Sequence, residues 1–185
     1  MEFYDYWLWD SVLPKWFCEE QIKNINWEDK VDGQVKRPDG FSVNEDVRKT
    51  DVVWVDNTTP IGCIAQMYIN MANEMAGWNF NLSNAISIQM GKYSSVNNGF
   101  YDWHNDDSYK PNKDGLVRKC SISILLNDNF EGGKFEFKDW EEKDQPILKQ
   151  GSIIVFPSQL YHRVTPVTSG DRYSAVTWVS GPSYR

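Results

Sequence analysis

The sequence predicts an α+β fold in which two helices lead into a jelly-roll-like antiparallel β core. Three observations carry this prediction. Two stretches in the first 80 residues place apolar side chains at helical spacing. After Asn81 the period changes to short β-rich runs, and Gly, Asn, Asp and Pro clusters separate those runs as they do in sandwiches and barrels. A chain of 185 residues suits one sizeable core, so a single domain over 1–185 is expected, with helical support over about 1–80 and the β core over about 81–181.

The elements follow in order. In residues 13–26 (LPKWFCEEQIKNIN), Leu13, Phe17, Ile22 and Ile25 fall on roughly one helical stripe, and Pro14 suits a first turn. Residues 28–51 are polar and carry Asp32-Gly33 and Pro38-Asp39-Gly40, so a loop or loose hairpin is expected, serving as a lid or as a plain surface insert. VVWV at 52–55 reads as a short strand. From Ile61 to Trp78, the residues Ile61, Ile64, Ala65, Tyr68, Ala72 and Met75 recur at three and four, the signature of an amphipathic helix. The β runs are 85–90, 99–104, 119–126, 134–137, 152–156 and 172–179. The chain shows no repeat and no low-complexity tract.

Composition narrows the function classes. A net charge of −7 is poor material for gripping a phosphate backbone, so a nucleic-acid partner is not expected. No apolar run approaches the roughly 20 residues a membrane helix needs. The start, MEFYDYWLWD, lacks a basic region and carries acids, so no secretory signal is expected. Cys18, Cys63 and Cys120 are odd in number and lack metal-type spacing, which reads as reduced thiols in the cytoplasm. The aromatic share of 15% fits buried packing first and the walls of a ligand groove second.

Both histidines of the chain stand in informative places. His104-Asn105-Asp106 follows the aromatic run GFYDW, and residues two apart on an extended segment share a face. His104 and Asp106 can therefore offer an imidazole and a carboxylate to one ion. His162 lies in LYHRV, just after the apolar run IIVFP. Two imidazoles and one carboxylate form the facial triad of non-haem Fe(II) oxygenases, which leaves positions open for substrate and oxygen. Zinc accepts the same ligands, although catalytic zinc prefers a tetrahedral site. Taken singly, each histidine is better explained by a structural or surface role than as a ligand. In RYSAVTWV, alternation puts Arg172, Ser174, Val176 and Trp178 on one face. Taken alone, Arg172 is better explained by pairing with an internal acid or by reaching the surface; joined to the triad, a dicarboxylate ligand gripped through two parallel hydrogen bonds becomes the better explanation.

The stretch from about 86 to 181 resembles the Fe(II)- and 2-oxoglutarate-dependent oxygenases of the prolyl 4-hydroxylase type, in particular small PKHD-type bacterial and phage hydroxylases. The resemblance rests on Tyr93, Gly99-Phe100-Tyr101, His104-Asn105-Asp106, SISILLND at 121–128, Gly132-Gly133 with Phe135, and KQGSIIVFPSQLYHRVTPVTSGDRYSAVTW at 149–178. It implies a double-stranded β-helix (jelly roll) with supporting N-terminal helices. It implies Fe(II) on His104, Asp106 and His162, with 2-oxoglutarate chelating the iron, its distal carboxylate on Arg172 and a hydrogen bond from Tyr93. Dioxygen is the other cosubstrate and ascorbate the expected reductant. The implied reaction hydroxylates a prolyl residue in a peptide or protein, with 2-oxoglutarate decarboxylated to succinate and CO2. A free amino acid or other small molecule is the alternative substrate, and a non-catalytic metal-binding module the third reading.

Departures from the family pattern are informative. Leu125 stands where some relatives have a tyrosine, so that hydrogen bond is absent or comes from Ser123. Asp106 argues against halogenating relatives, which lack this carboxylate. Trp178 stands where nucleic-acid demethylases carry a second arginine. Tyr101, Trp103, Asn105 and Trp178 are expected near the iron as walls for a substrate, and Arg48, in VRKT at 47–50, is expected at the end of the loop that would close over it.

Overall fold

The computed structural model describes residues 4–37, 40–85, 87–107 and 110–183. In chain order the elements are β1 (Trp7–Trp9), α1 (Lys15–Lys23), a single 3-10 turn (Trp27–Asp29), β2 (Val31–Asp32), β3 (Gln34–Arg37), β4 (Gly40–Val43), β5 (Arg48–Lys49) and β6 (Asp51–Asp56). There follow α2 (Pro60–Met75), β7 (Ser87–Ser94), β8 (Phe100–His104), β9 (Leu116–Leu125), β10 (Phe130–Gly132), β11 (Phe135–Phe137), β12 (Ile153–Pro157), β13 (His162–Val164) and β14 (Val167–Pro182).

Two sheets carry the architecture. The larger runs β1-β12-β9-β14-β7-β6-β2, with β10 added onto β14; the smaller runs β11-β13-β8-β5. Their facing sides meet through Phe135 and Phe137 of the small sheet against Ile154 and Phe156 of the large one. Tyr93, Val164 and Val167 close a second contact between them. The expected jelly-roll core is therefore present.

The helices cover the other side of the large sheet. Thr59 caps α2 by accepting from the Gly62 N–H, with Pro60 in the first turn, where its missing N–H costs nothing. Ile61, Ala65, Ile69 and Ala72 of α2 then bury against Ile88, Met90, Ile122, Ile124, Ile153, Val155 and Ala175. Strand alternation sorts each side chain to one layer: Ile88 and Met90 face the helix, while Gln89 and Tyr93 face the space between the sheets.

Several expectations change. Pro14 caps α1 from outside the helix instead of opening its first turn, and Ile25 lies beyond the helix end. The helix over 61–78 stops at Met75, whose side chain is exposed; Gly77, at φ +75°, turns the chain away. The first 80 residues supply strands as well as helices: β1, β2 and β6 extend the large sheet and β5 the small one. The expected loop over 28–51 is mostly short strands, and β3 and β4 form the hairpin. Its Pro38-Asp39 turn lies outside the described residues, as do the first three residues of the chain and Ile86 of the 85–90 run. Among the described residues no helix is long and apolar enough to cross a membrane.

Candidate metal centre and adjoining groove

His162 of β13 pairs across the small sheet with His104 of β8. The next pair is Val164 with Tyr101, so β8 carries one more residue than β13 between the two pairs. That bulge brings Tyr101 and His104, three apart, to the same face. Their rings stack with centroids 3.5 Å apart and planes 11° apart. Asp106 follows two residues after His104 and is tied down by its backbone N–H, which donates to the Ser158 carbonyl at 2.8 Å.

The three side chains converge. His162 Nε2 lies 3.5 Å from Asp106 Oδ2, and His104 Nε2 lies 3.9 Å from Asp106 Oδ1. One ligand atom from each of His104, Asp106 and His162 falls within 4.8 Å of the others, a spacing that one metal ion can span. The outer hydrogen bonds prepare the rings. His104 Nδ1 lies 2.7 Å from the Asp102 carbonyl and His162 Nδ1 lies 3.0 Å from the Leu160 carbonyl. A carbonyl only accepts, so each Nδ1 carries the proton and each Nε2 presents its lone pair inward. Burial, reinforced by the neighbouring His162, pushes the His104 pKa down to about 3, which keeps the ring neutral and able to ligate. Burial would raise the Asp106 carboxyl. The His162 and His104 rings, Arg118 and the Ser121 hydroxyl outweigh it and hold Asp106 below the usual carboxylate range.

Arg172 lies deeper between the sheets and is 1% exposed. One terminal nitrogen donates to Ser174 Oγ at 3.1 Å, its Nε has no partner, and it forms no ion pair among the described residues. The guanidinium sits 5.4 Å from the ring of Tyr93, which is paired with Arg172 across β7 and β14. Gly133, at φ +55°, leaves room for this side chain, since a Cβ there would come within 2.9 Å of Arg172 Cδ. Arg172, Tyr93, Ser123, Ser174, Val176 and Trp178 line one small cavity together with the three ligand residues. Alternation along β14 thus holds as the sequence reads it. Leu125 lines a neighbouring cavity that Arg172 also borders.

A groove of about 360 Å³ adjoins this cavity, and its walls include Arg48, Trp54, Gln89, Tyr101, Asn105, Arg118 and Trp178. Tyr101, Asn105 and Trp178 line this groove beside Asp106. Arg48 lies in strand β5 against β8, 5% exposed, and belongs to the groove's wall instead of a loop end. Trp103 does not line the groove: its ring packs under the Arg163 guanidinium at 4.4 Å. Sequence reasoning missed Arg118, whose guanidinium lies 4.1 Å from the Trp178 ring, and Ser121, whose hydroxyl donates to Asp106. The alternation in SISI at 121–124 could have found Ser121; nothing local marks Arg118.

Residues 88–180, half of the chain, match the family model of the 2OG-Fe(II) oxygenase superfamily. A PKHD-type hydroxylase of Shewanella oneidensis is 35% identical over 82 residues, which span 43% of this chain and 37% of that protein. A PKHD-type hydroxylase of a Synechococcus species is 34% identical over the same shares. Among solved structures, a prolyl-4-hydroxylase of Pseudomonas putida superposes with a TM-score of 0.70 at 18% identity, covering 97% of this chain and 94% of its own. The 2OG complex of a viral collagen prolyl hydroxylase from Paramecium Bursaria Chlorella virus-1 gives 0.68 at 17% identity over 96% and 97%. A prolyl hydroxylase of Trichoplax adhaerens, in complex with a hypoxia inducible factor peptide fragment, gives 0.67 at 20% identity over 95% and 83%. The shared fold is the double-stranded β-helix.

Proposed function

The chain belongs to the 2OG-Fe(II) oxygenase superfamily, and from that premise we propose that it is a dioxygenase that hydroxylates a prolyl residue in a peptide or protein. In that reaction a C–H bond becomes C–OH, while 2-oxoglutarate and dioxygen yield succinate and CO2. The observation that carries this reading is the sharing of one cavity by the His104-Asp106-His162 cluster and the buried, incompletely paired Arg172 guanidinium. Two imidazole nitrogens and a carboxylate are the donor set of a facial-triad Fe(II) site. A fully buried cation with an unpartnered Nε suits the distal carboxylate of 2-oxoglutarate.

His104 Nε2, Asp106 and His162 Nε2 would hold the metal, and Arg172, flanked by Tyr93 and Ser123, would hold the cosubstrate. When bound, Fe(II) supplies the open positions and the redox chemistry that activate dioxygen. The protein's own residues orient and shield. The Asp102 and Leu160 carbonyls fix the ring tautomers. Phe135 and Phe156 pack on His162, and Tyr101 lies flat on His104, leaving little room for stray water. Tyr101 and Trp178 give the substrate groove apolar walls that suit a pyrrolidine ring. The Trichoplax adhaerens relative of this fold is described with a bound peptide fragment, which favours a peptidyl over a free-molecule substrate. Three free cysteines, two of them buried, suit the reducing cytoplasm.

The test is succinate formation from 2-oxoglutarate with Fe(II), ascorbate and dioxygen, with and without a panel of proline-containing peptides. Peptide-stimulated succinate together with a gain of one oxygen atom in the peptide is the expected result. Succinate that no peptide stimulates would remove the prolyl reading and keep the dioxygenase. No succinate from protein shown to hold iron would favour the metal-binding module.

A further inference from the structure

The groove beside the metal cluster carries a charge that the protein itself does not answer. Arg48 is 5% exposed and opens on both the groove and the metal cavity. Its Nε donates to Thr50 Oγ1 at 3.4 Å, one terminal nitrogen to the Gln34 carbonyl at 3.0 Å, and the other to Gln89 Oε1 at 2.6 Å. Every one of these acceptors is neutral. Arg48 forms no ion pair among the described residues, whereas buried cations in proteins are ordinarily matched by a carboxylate. Five N–H groups are available to a guanidinium, so donors remain after these three bonds.

The position is built. Gly33 lies against the guanidinium so closely that a Cβ there would fall 2.5 Å from Arg48 Nε. The guanidinium also lies 4.6 Å from the Tyr101 ring, which in turn stacks on His104, so the cation is one ring removed from the candidate metal ligands. Arg118 adds a second guanidinium to the same groove, spread over Trp178. Two carboxylates share the wall with them. Asp106 is engaged with Ser121 and His162 and also faces Arg118, which donates to its backbone carbonyl at 3.5 Å, and Asp32 sits exposed on β2. Gln34, Gln89 and Asn105 are neutral, so among the described residues of the groove no carboxylate pairs with Arg48.

Building on the dioxygenase reading, we propose that this groove recognises a carboxylate on the substrate, held by Arg48. The preferred target is then a prolyl group with a carboxylate close to its ring. That carboxylate comes from an acidic side chain beside the proline, from a chain-terminal proline, or from the free imino acid. The aromatic walls take the ring and the Arg48 guanidinium takes the anion, which fixes which C–H bond faces the metal.

The experiment measures ligand binding by tryptophan fluorescence, with Mn(II) and 2-oxoglutarate present and dioxygen excluded so that no turnover occurs. Matched pairs differ in one group: a Pro-Asp against a Pro-Asn peptide, a C-terminal prolyl acid against its amide, and proline against prolinamide. A proline-free acidic peptide and its amidated counterpart complete the set. Tenfold or greater preference for the acid in at least one pair is expected, and the pair that shows it identifies the source of the carboxylate. Arg48→Gln should abolish the preference and Arg48→Lys should restore part of it. Equal binding of acid and amide in every pair would overturn the carboxylate site while leaving the prolyl reading intact. An acid preference confined to the proline-free pair would sustain the site and remove the prolyl reading. Binding by no ligand at all would sink both. A purely structural Arg48 would lower stability and weaken acid and amide alike, leaving their ratio unchanged, so the wild-type pairs decide the matter even where a variant fails to fold.

Discussion

Ser121 donates its hydroxyl proton to Asp106 Oδ2 at 2.7 Å, and its own oxygen lies 2.9 Å from Ser158 Oγ. A hydroxyl has one proton to give, so with Ser121 committed to Asp106, Ser158 donates to Ser121. The chain of hydroxyls holds the carboxylate of the candidate metal cluster in one rotamer. Ser158 also accepts the Asp106 backbone N–H, so it braces that residue at both ends.

Removal of this brace should loosen the metal without unfolding the protein. Ser121→Ala is expected to weaken Mn(II) or Fe(II) affinity by about 10-fold or more, the scale on which outer hydrogen-bond partners act at metal sites. Metal titration followed by electron paramagnetic resonance of Mn(II) would measure it. Unchanged affinity would mean that Asp106 is fixed by its backbone alone.

On the outer face of the small sheet, Arg163 clamps the strands that carry the histidines. Its Nε and a second nitrogen reach Glu136 Oε2 at 2.8 and 2.7 Å, and its guanidinium lies 4.4 Å from the Trp103 ring. Each of the three residues neighbours a residue that faces the cavity: His162, Phe135 and His104. A double-mutant cycle of Arg163→Gln and Glu136→Gln should give a coupling of about 0.5–1 kcal/mol, since the pair is partly exposed. The single variants should each lower metal affinity several-fold. Strict additivity in urea-unfolding stability would remove the clamp from the account.

The sequence shows this core clearly where one period runs unbroken. Along β14, Arg172, Ser174, Val176 and Trp178 alternate without a break before the bulge at Val179, so one face can be read directly. Along β8 the extra residue between Tyr101 and His104 shifts the phase. Plain alternation therefore cannot say that Tyr101 lies on His104 while Trp103 faces away. The strands of residues 31–49 span only two to four residues each, too few to show a period, and β5 takes its partner, β8, from far along the chain. Arg118 escapes for a related reason: the Trp178 ring beneath it comes from another strand, 60 positions away. Pairing across strands, which decides who meets whom, is not a local property of sequence.

The thiols should separate by burial. Cys63 is exposed, whereas Cys18 and Cys120 are buried. Burial pushes the Cys18 thiol up to about 11 and the Cys120 thiol up to about 12. One thiol of three is expected to react with a disulfide reagent in native protein at pH 8, and all three after unfolding. The same shift sets an alkaline limit. Between the usual thiol value of 9.0 and about 12, unfolded Cys120 has lost its proton while folded Cys120 retains it. Folding stability therefore falls as pH rises above about 9, by up to about 1.4 kcal/mol per pH unit from this group. Urea unfolding at pH 8, 9 and 10 should show a shallower decline in Cys120→Ala than in the wild type.

Arg172 should separate cosubstrate binding from stability. Its guanidinium is fully buried with an unpartnered Nε, so the ligand-free protein bears an uncompensated cation. Arg172→Gln removes that charge. The ligand-free variant is expected to unfold at the same temperature as the wild type or higher, because the Ser174 hydrogen bond and the contact with the Tyr93 ring are lost along with an uncompensated buried charge. Its affinity for 2-oxoglutarate should fall by about 100-fold, close to 3 kcal/mol, the scale for deleting one partner of a buried charge pair. Arg172→Lys keeps the charge but not the fork, and should recover part of the affinity. Mn(II) affinity measured without 2-oxoglutarate should not change in either variant, since Arg172 is not among the three ligand residues. Thermal shift with and without 2-oxoglutarate reads both effects at once. A variant that loses stability without ligand and keeps its 2-oxoglutarate shift would make Arg172 a packing residue and leave the cosubstrate without its anchor.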